Sequence, residues 1–306
     1  MDARLDALIA RLRDGVAWLP DKPEETPEGS ARALWLAAAG QPCSVVAAQG
    51  VAVLPALDAA GLARLDALLE RRLAGEPLAH LTGRQHFCGL EMLAGRQALV
   101  PRVETVLLAQ AAIAALQRRP ADAGEAAIVL DACTGSGNVA LAIAQHCPAA
   151  RVAGADLSAE AVDLARANAR WLGLDDRVRL LVGDLLAPFA ALDVAGRVDL
   201  LTCNPPYISS AKVPLMAAEI AGHEPALAFD GGPLGVSVLS RLLEEAPAWL
   251  RPGGVLLVEV GLGQGPALLR RLARDPAWSK AGGHADASGA IRVLELERSD
   301  ANPATG

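Results

Sequence analysis

The first quarter of the chain carries apolar residues at helical spacing. They recur three or four positions apart in two runs, Leu5, Leu8, Ile9 and Leu12, and then Leu62, Leu65, Leu68 and Leu69. This spacing is typical of amphipathic helices that bury one face. Prolines at positions 20, 23 and 27 separate the two runs. The pattern therefore predicts a small helical domain over residues 1–77.

Between residues 78 and 100 the pattern changes to short apolar stretches. Turn-forming pairs interrupt them at Thr82-Gly83, Cys88-Gly89 and Ala94-Gly95. Short apolar runs bounded by glycine are typical of strands joined by tight turns. We therefore predict a β-hairpin connector over residues 78–100.

After residue 101, apolar strands alternate with helical stretches. The predicted strands are Ile128–Asp131, Arg151–Asp156, Val178–Val182, Val198–Thr202, Val255–Glu259 and Ile291–Leu296, the last after a loop rich in Gly and Ala. Predicted helices cover residues 104–117, 139–146 and 159–171. Nearly continuous apolar strands separated by helices indicate a parallel sheet covered on both faces. This predicts a doubly wound α/β domain over residues 101–298 and a disordered tail at 299–306.

Composition and charge narrow the class of partner. The 306 residues are 52% apolar but only 3% aromatic, and the net charge is −7. An acidic chain argues against a large basic surface for nucleic acid. No apolar run reaches the roughly 18–20 residues of a membrane span, and the N-terminus alternates in charge, unlike a signal peptide. We expect a soluble cytoplasmic protein whose partner is a protein or a small molecule, with no nucleic acid and no membrane.

The five cysteines indicate neither a metal site nor a disulfide framework. They are odd in number and scattered along the chain, and no Cys-x-x-Cys pair occurs. We expect free thiols in a reducing compartment and no bound metal.

A glycine-rich loop follows the first predicted strand, at Asp131–Asn138. Gly135 and Gly137 allow a tight turn and a close approach of the backbone to a ligand at the carboxyl end of the strand. Taken alone, the loop suits a dinucleotide as well as S-adenosylmethionine.

Three acidic residues mark the same sheet edge. Asp156 ends the second strand, about 20 residues after the glycines, where a carboxylate can accept both ribose hydroxyls of a nucleoside. Asp184 follows the third strand and can accept from the amine of adenine while Leu185 covers the ring. Asp131 can hold the glycine loop and can lie near the sulfonium or the amino group of the methionine portion, and these two roles are compatible. For Asp156 and Asp184 a helix cap or a solvated loop is the alternative.

The fourth strand ends in the most specific motif of the chain, Asn204-Pro205-Pro206-Tyr207. The prolines fix the backbone and remove two N–H donors, so nearby carbonyls can accept from a substrate. A planar NH2 group could bond to the Asn204 side chain and the Pro205 carbonyl while it stacks on Tyr207. An amide nitrogen is a poor nucleophile, so we expect catalysis by positioning. A rigid turn without a chemical role is the alternative.

Several separated segments resemble one protein family. They are Arg71–Gly83, Val100–Thr105, Thr134–Gly137, Asn204–Tyr207, His223–Ala228 and Glu259–Gly261 with Gln264. Through these segments, which are spread over nearly its whole length, the chain resembles the release-factor glutamine N5-methyltransferases, the HemK/PrmC family. The resemblance implies a class I S-adenosylmethionine-dependent methyltransferase domain, Rossmann-like with a seven-strand sheet, joined to a helical N-terminal domain by the hairpin. It implies methylation of the glutamine in the Gly-Gly-Gln motif of peptide chain release factors. A sister group with the same Asn-Pro-Pro-Tyr motif methylates a glutamine of a large-subunit ribosomal protein. The resemblance thus implies a release factor or a ribosomal protein as the substrate partner.

The resemblance also implies roles for individual residues. The cofactor-binding set is Asp131, Cys133, Thr134, Gly135, Ser136, Gly137, Asp156, Leu157, Asp184, Leu185 and Asn204. The catalytic set is Asn204, Pro205, Pro206 and Tyr207. The substrate-binding set is Arg102, Glu104 and Thr105 with Asn204 and Tyr207.

The chain departs from the family at four positions. The family usually has Gly at Cys133, Tyr at His80, Pro at Val103 and Glu at Val106. Cysteine at the first position is familiar in the sister group. The other three lie in the segment that helps to present the protein substrate, so they bear on the substrate and not on the cofactor.

Three other functions compete with protein methylation. In a diverged relative, the pocket could hold a small molecule, including the cofactor's own α-amine, which would attack its γ-carbon to form azetidine-2-carboxylate and release methylthioadenosine. Adenine N6-methylation of DNA uses a similar turn on a flipped base, but an acidic chain disfavours it. A non-enzymatic binding module would keep the glycine loop and lose the Asn-Pro-Pro-Tyr turn, whereas both motifs are intact.

Overall fold

A computed structural model describes residues 3–118, 125–215 and 222–300 of the chain. These residues divide into two compact units. The first runs to Val103 and includes residues 222–225, and the second comprises Glu104–Leu215 and the residues from Ala226 onward.

The first unit is helical up to its hairpin, as the spacing of apolar residues predicts. Its helices are α1 (Ala3–Gly15), α2 (Pro27–Ala38), α3 (Val45–Gln49), α4 (Ala59–Leu73) and α5 (Leu78–Thr82). Side chains cap three of them at the N-terminus, because Thr26, Ser44 and Asp58 each accept from a backbone N–H in the first turn. Leu8, Leu12, Leu65 and Leu69 of the two predicted runs are buried in the core of this unit.

A hairpin follows the helices. Gly83 ends α5 in the left-handed conformation, and strands β1 (Arg84–Phe87) and β2 (Leu90–Leu93) pair antiparallel, with Phe87 opposite Leu90. The turn at Cys88-Gly89 has positive φ at both residues, which suits a two-residue hairpin loop.

The second unit alternates strands and helices. Its helices are α6 (Val103–Gln117), which begins at the boundary of the units, α7 (Asn138–His146), α8 (Ala159–Trp171), α9 (Ser237–Trp249) and α10 (Gly265–Leu272). Its strands are β3 (Ile128–Ala132), β4 (Arg151–Asp156), β5 (Val178–Val182), β6 (Val198–Cys203), β7 (Leu250–Glu259), β8 (Trp278–Ala285) and β9 (Ile291–Arg298). Short 3-10 helices cover Ala187–Leu192, Val213–Leu215 and Ala226–Ala228.

The strands form one seven-stranded sheet in the order β5-β4-β3-β6-β7-β9-β8. The first five are parallel, and β9 and β8 join antiparallel at one edge. The predicted α/β class, the parallel sheet and the helical N-terminal region are therefore confirmed.

One stretch that the sequence pattern assigned to a loop is a strand. Residues Trp278–Ala285 form β8, which pairs with β9 along its length. This edge strand is mostly exposed and includes Gly282 and Gly283, so it lacks the apolar pattern of the inner strands. Strand β7 also begins earlier than predicted, at Leu250 and not at Val255. The sequence pattern missed its first residues because Pro252, Gly253 and Gly254 are poor strand formers. Of the predicted disordered tail at 299–306, residues 301–306 lie outside the described residues. The prediction is wrong at Ser299, whose backbone N–H donates to the Ala277 carbonyl over 2.9 Å and whose hydroxyl donates to the Pro276 carbonyl over 2.8 Å.

The order in which successive strands are added to the sheet reverses between β3 and β6, which pair side by side and parallel in the middle of the sheet. Connections from β3 lead toward β4 and β5, and the connection to β6 returns to the opposite side. Open α/β sheets bind their ligands at this switch point, outside the carboxyl ends of the strands. Within the described ranges, no helix is both long and apolar enough to cross a membrane.

Candidate active site

The two motifs of the sequence meet where β3 and β6 end. Ala132 and Cys203, the last residues of these strands, are paired in register, so Cys133 and Asn204 leave the sheet side by side. The Cys203 thiol is buried beside the Cys133 thiol, and burial raises the pKa of Cys203. Both cysteines are free thiols, as the sequence predicts.

Asp131 holds the glycine loop from below. Its carboxylate accepts from the Thr134 hydroxyl over 2.6 Å and from the Thr202 hydroxyl over 2.7 Å. Thr202 is the residue before Cys203 on β6, so Asp131 joins the loop to the neighbouring strand. Burial raises the pKa of Asp131 to about 6, although both hydroxyls oppose the shift. This geometry matches the loop-holding role among the two considered for Asp131.

Asp156 braces the same loop from β4. Its Oδ2 accepts from the Gly135 backbone N–H over 2.8 Å, and its Oδ1 accepts from the Ser158 backbone N–H over 2.9 Å. Burial raises the pKa of Asp156. A carboxylate has about four acceptor positions, so each oxygen can still accept from one ribose hydroxyl.

The backbone of the glycine loop is open to a ligand. Gly135 has a φ of 55°, and a side chain built there would meet no atom within 4 Å, so the backbone is open on that side. The open backbone and the Asp156 oxygens point to the same edge of the sheet. A carboxylate suits the ribose hydroxyls and an open backbone suits the methionine portion, so the residues present fit S-adenosylmethionine.

The remaining predicted cofactor residues have different surroundings. Leu157 is exposed and directly follows Asp156, where a ring could rest on it. Leu185, in contrast, is buried in the core of the sheet domain. Asp184 is half exposed and forms an ion pair of 2.8 Å with Arg241, a partner that the sequence did not reveal. The expected contacts of Asp184 and Leu185 with adenine stay predictions.

Asn204 is oriented by helix α6. Its side-chain nitrogen donates to the Thr105 hydroxyl over 3.2 Å, which brings together two residues that the sequence separates by 99 positions. The Asn204 carbonyl oxygen accepts no hydrogen bond from the described residues. The half-buried Asn204 side chain thus presents an acceptor at the sheet edge.

Tyr207 is held by the end of β7. Its hydroxyl donates to Glu259 Oε1 over 3.2 Å, and its burial raises the pKa of the phenol. Gln264 bridges three backbone segments, since its amide accepts from Gly261 N–H over 2.8 Å and donates to the Tyr207 carbonyl over 3.5 Å and the Gly235 carbonyl over 3.4 Å. The turn after Pro205 and Pro206 is therefore fixed from outside as well as by its prolines.

A glycine allows this close packing. Gly235 has a φ of 70°, and any side chain there would clash with the carbonyl oxygen of Tyr207. The segment around Gly235 therefore lies directly against the Asn-Pro-Pro-Tyr turn.

The other residues predicted to bind substrate lie in different units. Glu104, beside Thr105 in the second unit, pairs with Arg292 of β9 over 3.2 Å. Arg102 belongs to the first unit, where it is buried between Asp21 at 3.1 Å and Glu224 at 2.5 Å. Each of these groups has a structural ion pair, and their contact with a substrate stays a prediction.

Three further residues of the site lacked an assigned role at the sequence level. Glu259 and Gln264 stand in the segment that resembles the family, but a sequence motif does not show what their side chains contact. Arg292 lies on the antiparallel strand β9, far along the chain from every motif. Among the described residues, no group of His, Cys, Asp or Glu could hold a metal ion.

Comparison with family models defines the class of protein. Residues 129–223 match the model of a methyltransferase domain, and residues 10–83 match the PrmC N-terminal domain. The solved structure of a human methyltransferase 10 domain containing protein has a TM-score of 0.50 and 17% identity, over 70% of this chain and 90% of that one, which shows a common fold. The chain is a class I methyltransferase that uses S-adenosylmethionine.

Curated relatives define the family. The release factor glutamine methyltransferase of Moorella thermoacetica is 42% identical over 69% of this chain and 71% of the relative. That of Bradyrhizobium diazoefficiens is 37% identical over 84% of this chain and 81% of the relative. The chain therefore belongs to the release factor glutamine methyltransferase family.

Proposed function

We propose that this enzyme methylates the side-chain amide nitrogen of a protein glutamine, the one in the Gly-Gly-Gln motif of a peptide chain release factor. The orientation of Asn204 carries the proposal. Its nitrogen donates to Thr105 over 3.2 Å, so its oxygen is the atom that faces a substrate. A primary amide needs such an acceptor, because both hydrogens of its NH2 group are donors. The names of the relatives from Moorella and Bradyrhizobium support glutamine as the methyl acceptor.

The Asn-Pro-Pro-Tyr turn would hold the amide through three contacts. Asn204 Oδ1 accepts one hydrogen of the NH2 group, the Pro205 carbonyl accepts the other, and the Tyr207 ring stacks on the amide plane. Gln264 and Glu259 keep the Tyr207 backbone and hydroxyl in place, at 3.5 Å and 3.2 Å. With three fixed contacts, the nitrogen has one orientation.

Positioning is the main contribution that we assign to these residues. The lone pair of an amide nitrogen is delocalised into its carbonyl, so attack requires the nitrogen to lie about 3–3.5 Å from the methyl carbon and in line with its bond to sulfur. Bound S-adenosylmethionine supplies a methyl group on a positively charged sulfur. The substrate nitrogen loses its proton after the new N–C bond has formed, so we assign no catalytic base.

The glycine loop and its acids would hold the cofactor. We propose that the backbone of Cys133–Gly137 faces the methionine portion and that Asp156 accepts from the ribose hydroxyls. The open backbone at Gly135 and the two unused acceptor positions on the Asp156 oxygens support these assignments. Asp131 acts behind the loop, through Thr134 and Thr202.

Two exposed leucines favour a protein as the substrate. Leu234 is 80% exposed and precedes Gly235, and Leu262 is 73% exposed and follows Gly261. Gln264 bonds to both of these glycines, so the two leucines lie on loops that are joined beside the Asn-Pro-Pro-Tyr turn. Exposed apolar side chains that form one contiguous patch are typical of a surface that a partner covers. We propose that a release factor contacts them when its glutamine enters the site. We further propose that the enzyme acts in the cytoplasm, without nucleic acid or a membrane.

The acceptor can be identified from the cofactor products. Purified enzyme is incubated with S-adenosylmethionine, with and without an unmethylated release factor, and all small molecules are followed by mass spectrometry. Formation of S-adenosylhomocysteine only when the release factor is present supports the proposal. Accumulation of methylthioadenosine without any acceptor would instead indicate cyclisation of the cofactor to azetidine-2-carboxylate.

A further inference from the structure

Glu259 is a buried carboxylate that contacts neither the substrate amide nor the cofactor in the methyl transfer proposed above. It ends strand β7 and is 1% exposed. One oxygen, Oε1, accepts from the Tyr207 hydroxyl over 3.2 Å. The other oxygen, Oε2, is buried and makes no hydrogen bond of ordinary geometry within the described part of the chain. A buried carboxylate with an unused oxygen is costly, which calls for a functional explanation.

Thr105 links this carboxylate to Asn204. Its hydroxyl is buried and accepts from Asn204 Nδ2 over 3.2 Å. A hydroxyl that accepts one hydrogen still has its own hydrogen to donate. Glu259 lies close enough for the Thr105 hydroxyl to lower the pKa of the carboxyl, as the Tyr207 hydroxyl also does. The Thr105 hydroxyl can therefore donate its hydrogen to Glu259, whose Oε2 has no other partner of ordinary geometry within the described residues.

We propose that Glu259 is a positioning residue that orients both parts of the amide-binding turn, Asn204 through Thr105 and Tyr207 directly. This proposal rests on the function proposed above, since it concerns how the same turn presents its acceptor to a substrate amide.

The direction of the hydrogen bonds follows from the charge of Glu259. An ionised carboxylate only accepts, so the Thr105 hydroxyl donates to it and must accept from Asn204. Asn204 then shows its oxygen to the substrate. A protonated carboxyl can donate to Thr105, whose hydrogen is then free to turn toward Asn204. In that case the Asn204 amide reverses and presents its NH2 group to the substrate NH2, and two donors face each other.

The surroundings let Glu259 change its charge near neutral pH. Burial raises its pKa to about 7, against the lowering effects of Thr105, Tyr207 and Arg292, and Glu104 adds to the increase. Arg292 of β9 pairs with Glu104 of α6 over 3.2 Å and lies 4.0 Å from Asp286. The charge of Arg292 is therefore shared among Glu104, Asp286 and Glu259, so it neutralises Glu259 only in part.

The kinetic test compares three substitutions with the wild type. In Glu259→Gln, one end of the side chain always donates, which mimics the protonated acid. We expect kcat to fall about 10- to 100-fold, with KM for the release factor and the Kd of S-adenosylmethionine within a few-fold of the wild type. Thr105→Val should have the same effect because it loses the hydroxyl at constant shape. Thr105→Ser keeps the hydroxyl and should therefore keep an activity close to that of the wild type.

The pH profile separates positioning from a structural role. Wild-type kcat should rise as the pH increases through about 7, and Glu259→Gln should lose this rise. Asp199→Asn is the matched control, because Asp199 is a largely buried carboxylate at the opposite end of β6 and pairs with Arg251 over 2.7 Å. We expect the control to keep the wild-type profile.

A second measurement needs no methyl acceptor. Tyr207 is the only tyrosine in the sequence, so protein with 13C-labelled tyrosine gives one set of ring signals. We expect the Tyr207 ring signal to titrate with a midpoint near pH 7 in the wild type and in Asp199→Asn, and not in Glu259→Gln.

The outcomes separate this inference from the proposed function. If the wild type does not methylate a release factor but the Tyr207 signal titrates as expected, the substrate is wrong and the link from Glu259 to the turn is supported. If the wild type methylates and Glu259→Gln keeps both its kcat and its pH profile, Glu259 does not position the turn. A Tyr207 signal that is unchanged between pH 5 and 9 in the wild type would also overturn the inference.

Discussion

The side-chain nitrogen of Asn204 lies 3.2 Å from the hydroxyl of Thr105, so a loop at the end of β6 and the first turn of α6 share one hydrogen bond. This contact determines which end of the Asn204 amide faces outward. It joins the most specific motif of the sequence to a residue 99 positions earlier in the chain. Orientation of one amide by another part of the fold is central to the proposed chemistry.

Loss of Asn204 should affect turnover more than cofactor binding. We expect Asn204→Ala to lower kcat about 100-fold or more, because the substrate amide loses its oriented acceptor. The Kd of S-adenosylmethionine, measured by calorimetry, should stay within a few-fold of the wild type. An equal loss of cofactor affinity would show that Asn204 acts mainly on the cofactor.

Asp156 should show the opposite effect. We expect Asp156→Ala to weaken S-adenosylmethionine binding by about 1.5–3 kcal/mol, the usual cost of a lost hydrogen bond to a charged group. Asp184→Ala should weaken binding less, because Asp184 is half exposed and already paired with Arg241. Calorimetric Kd values for the two variants test this order, and equal losses would place Asp184 on the cofactor as firmly as Asp156.

The exposed leucines should affect the protein substrate alone. We expect Leu234→Asp combined with Leu262→Asp to raise KM for the release factor, with an unchanged Kd for S-adenosylmethionine. Val53→Asp is the control, since Val53 is 82% exposed in the other unit of the chain. If the double variant keeps the wild-type KM, the release factor binds elsewhere.

The raised pKa of Glu259 should also appear in the stability of the protein. The folded pKa of about 7 lies above the ordinary value of 4.5, so the folded state binds the proton more tightly. Its contribution to stability is fully present below pH 4.5 and is lost as the pH rises through 7. The glutamine in Glu259→Gln does not titrate. The free energy of unfolding of this variant, relative to that of the wild type, should therefore increase by up to about 3 kcal/mol as the pH rises from 4.5 to 8.

Urea unfolding of both proteins at pH 5 and pH 8 measures this difference. Asp131 has a pKa of about 6 and also titrates in this range, but it does so in both proteins and cancels in the comparison. A difference between the two proteins that does not change with pH would contradict the raised pKa.

The sequence predicted the parallel core because its strands are apolar throughout. Strands such as Ile128–Ala132 and Val198–Cys203 are buried on both faces, so nearly all of their residues are apolar and the strands can be identified from composition. The edge strand Trp278–Ala285 escaped prediction, because a strand exposed on its edge has no need of an apolar pattern. Residues that close a sheet by pairing are harder to detect than residues that fill its core.

The same limit applies to the site. The loop Asp131–Gly137 and the turn Asn204–Tyr207 carry their chemistry in adjacent residues, so both could be found in the sequence. The pairing of Tyr207 with Glu259 and of Asp184 with Arg241 depends on segments separated by 52 and 57 positions. The order of the strands in the sheet brings these segments together, so the contacts can be identified only once the fold is known.

Mapping the modified residue of a release factor tests the proposed function most directly. An unmethylated release factor is treated with the enzyme and S-adenosylmethionine, digested, and analysed by mass spectrometry, beside a variant factor whose motif glutamine is replaced by asparagine. We expect one added methyl group on the glutamine of the Gly-Gly-Gln motif and none on the variant. An unmodified factor, or a methyl group at any other residue, would contradict the proposal.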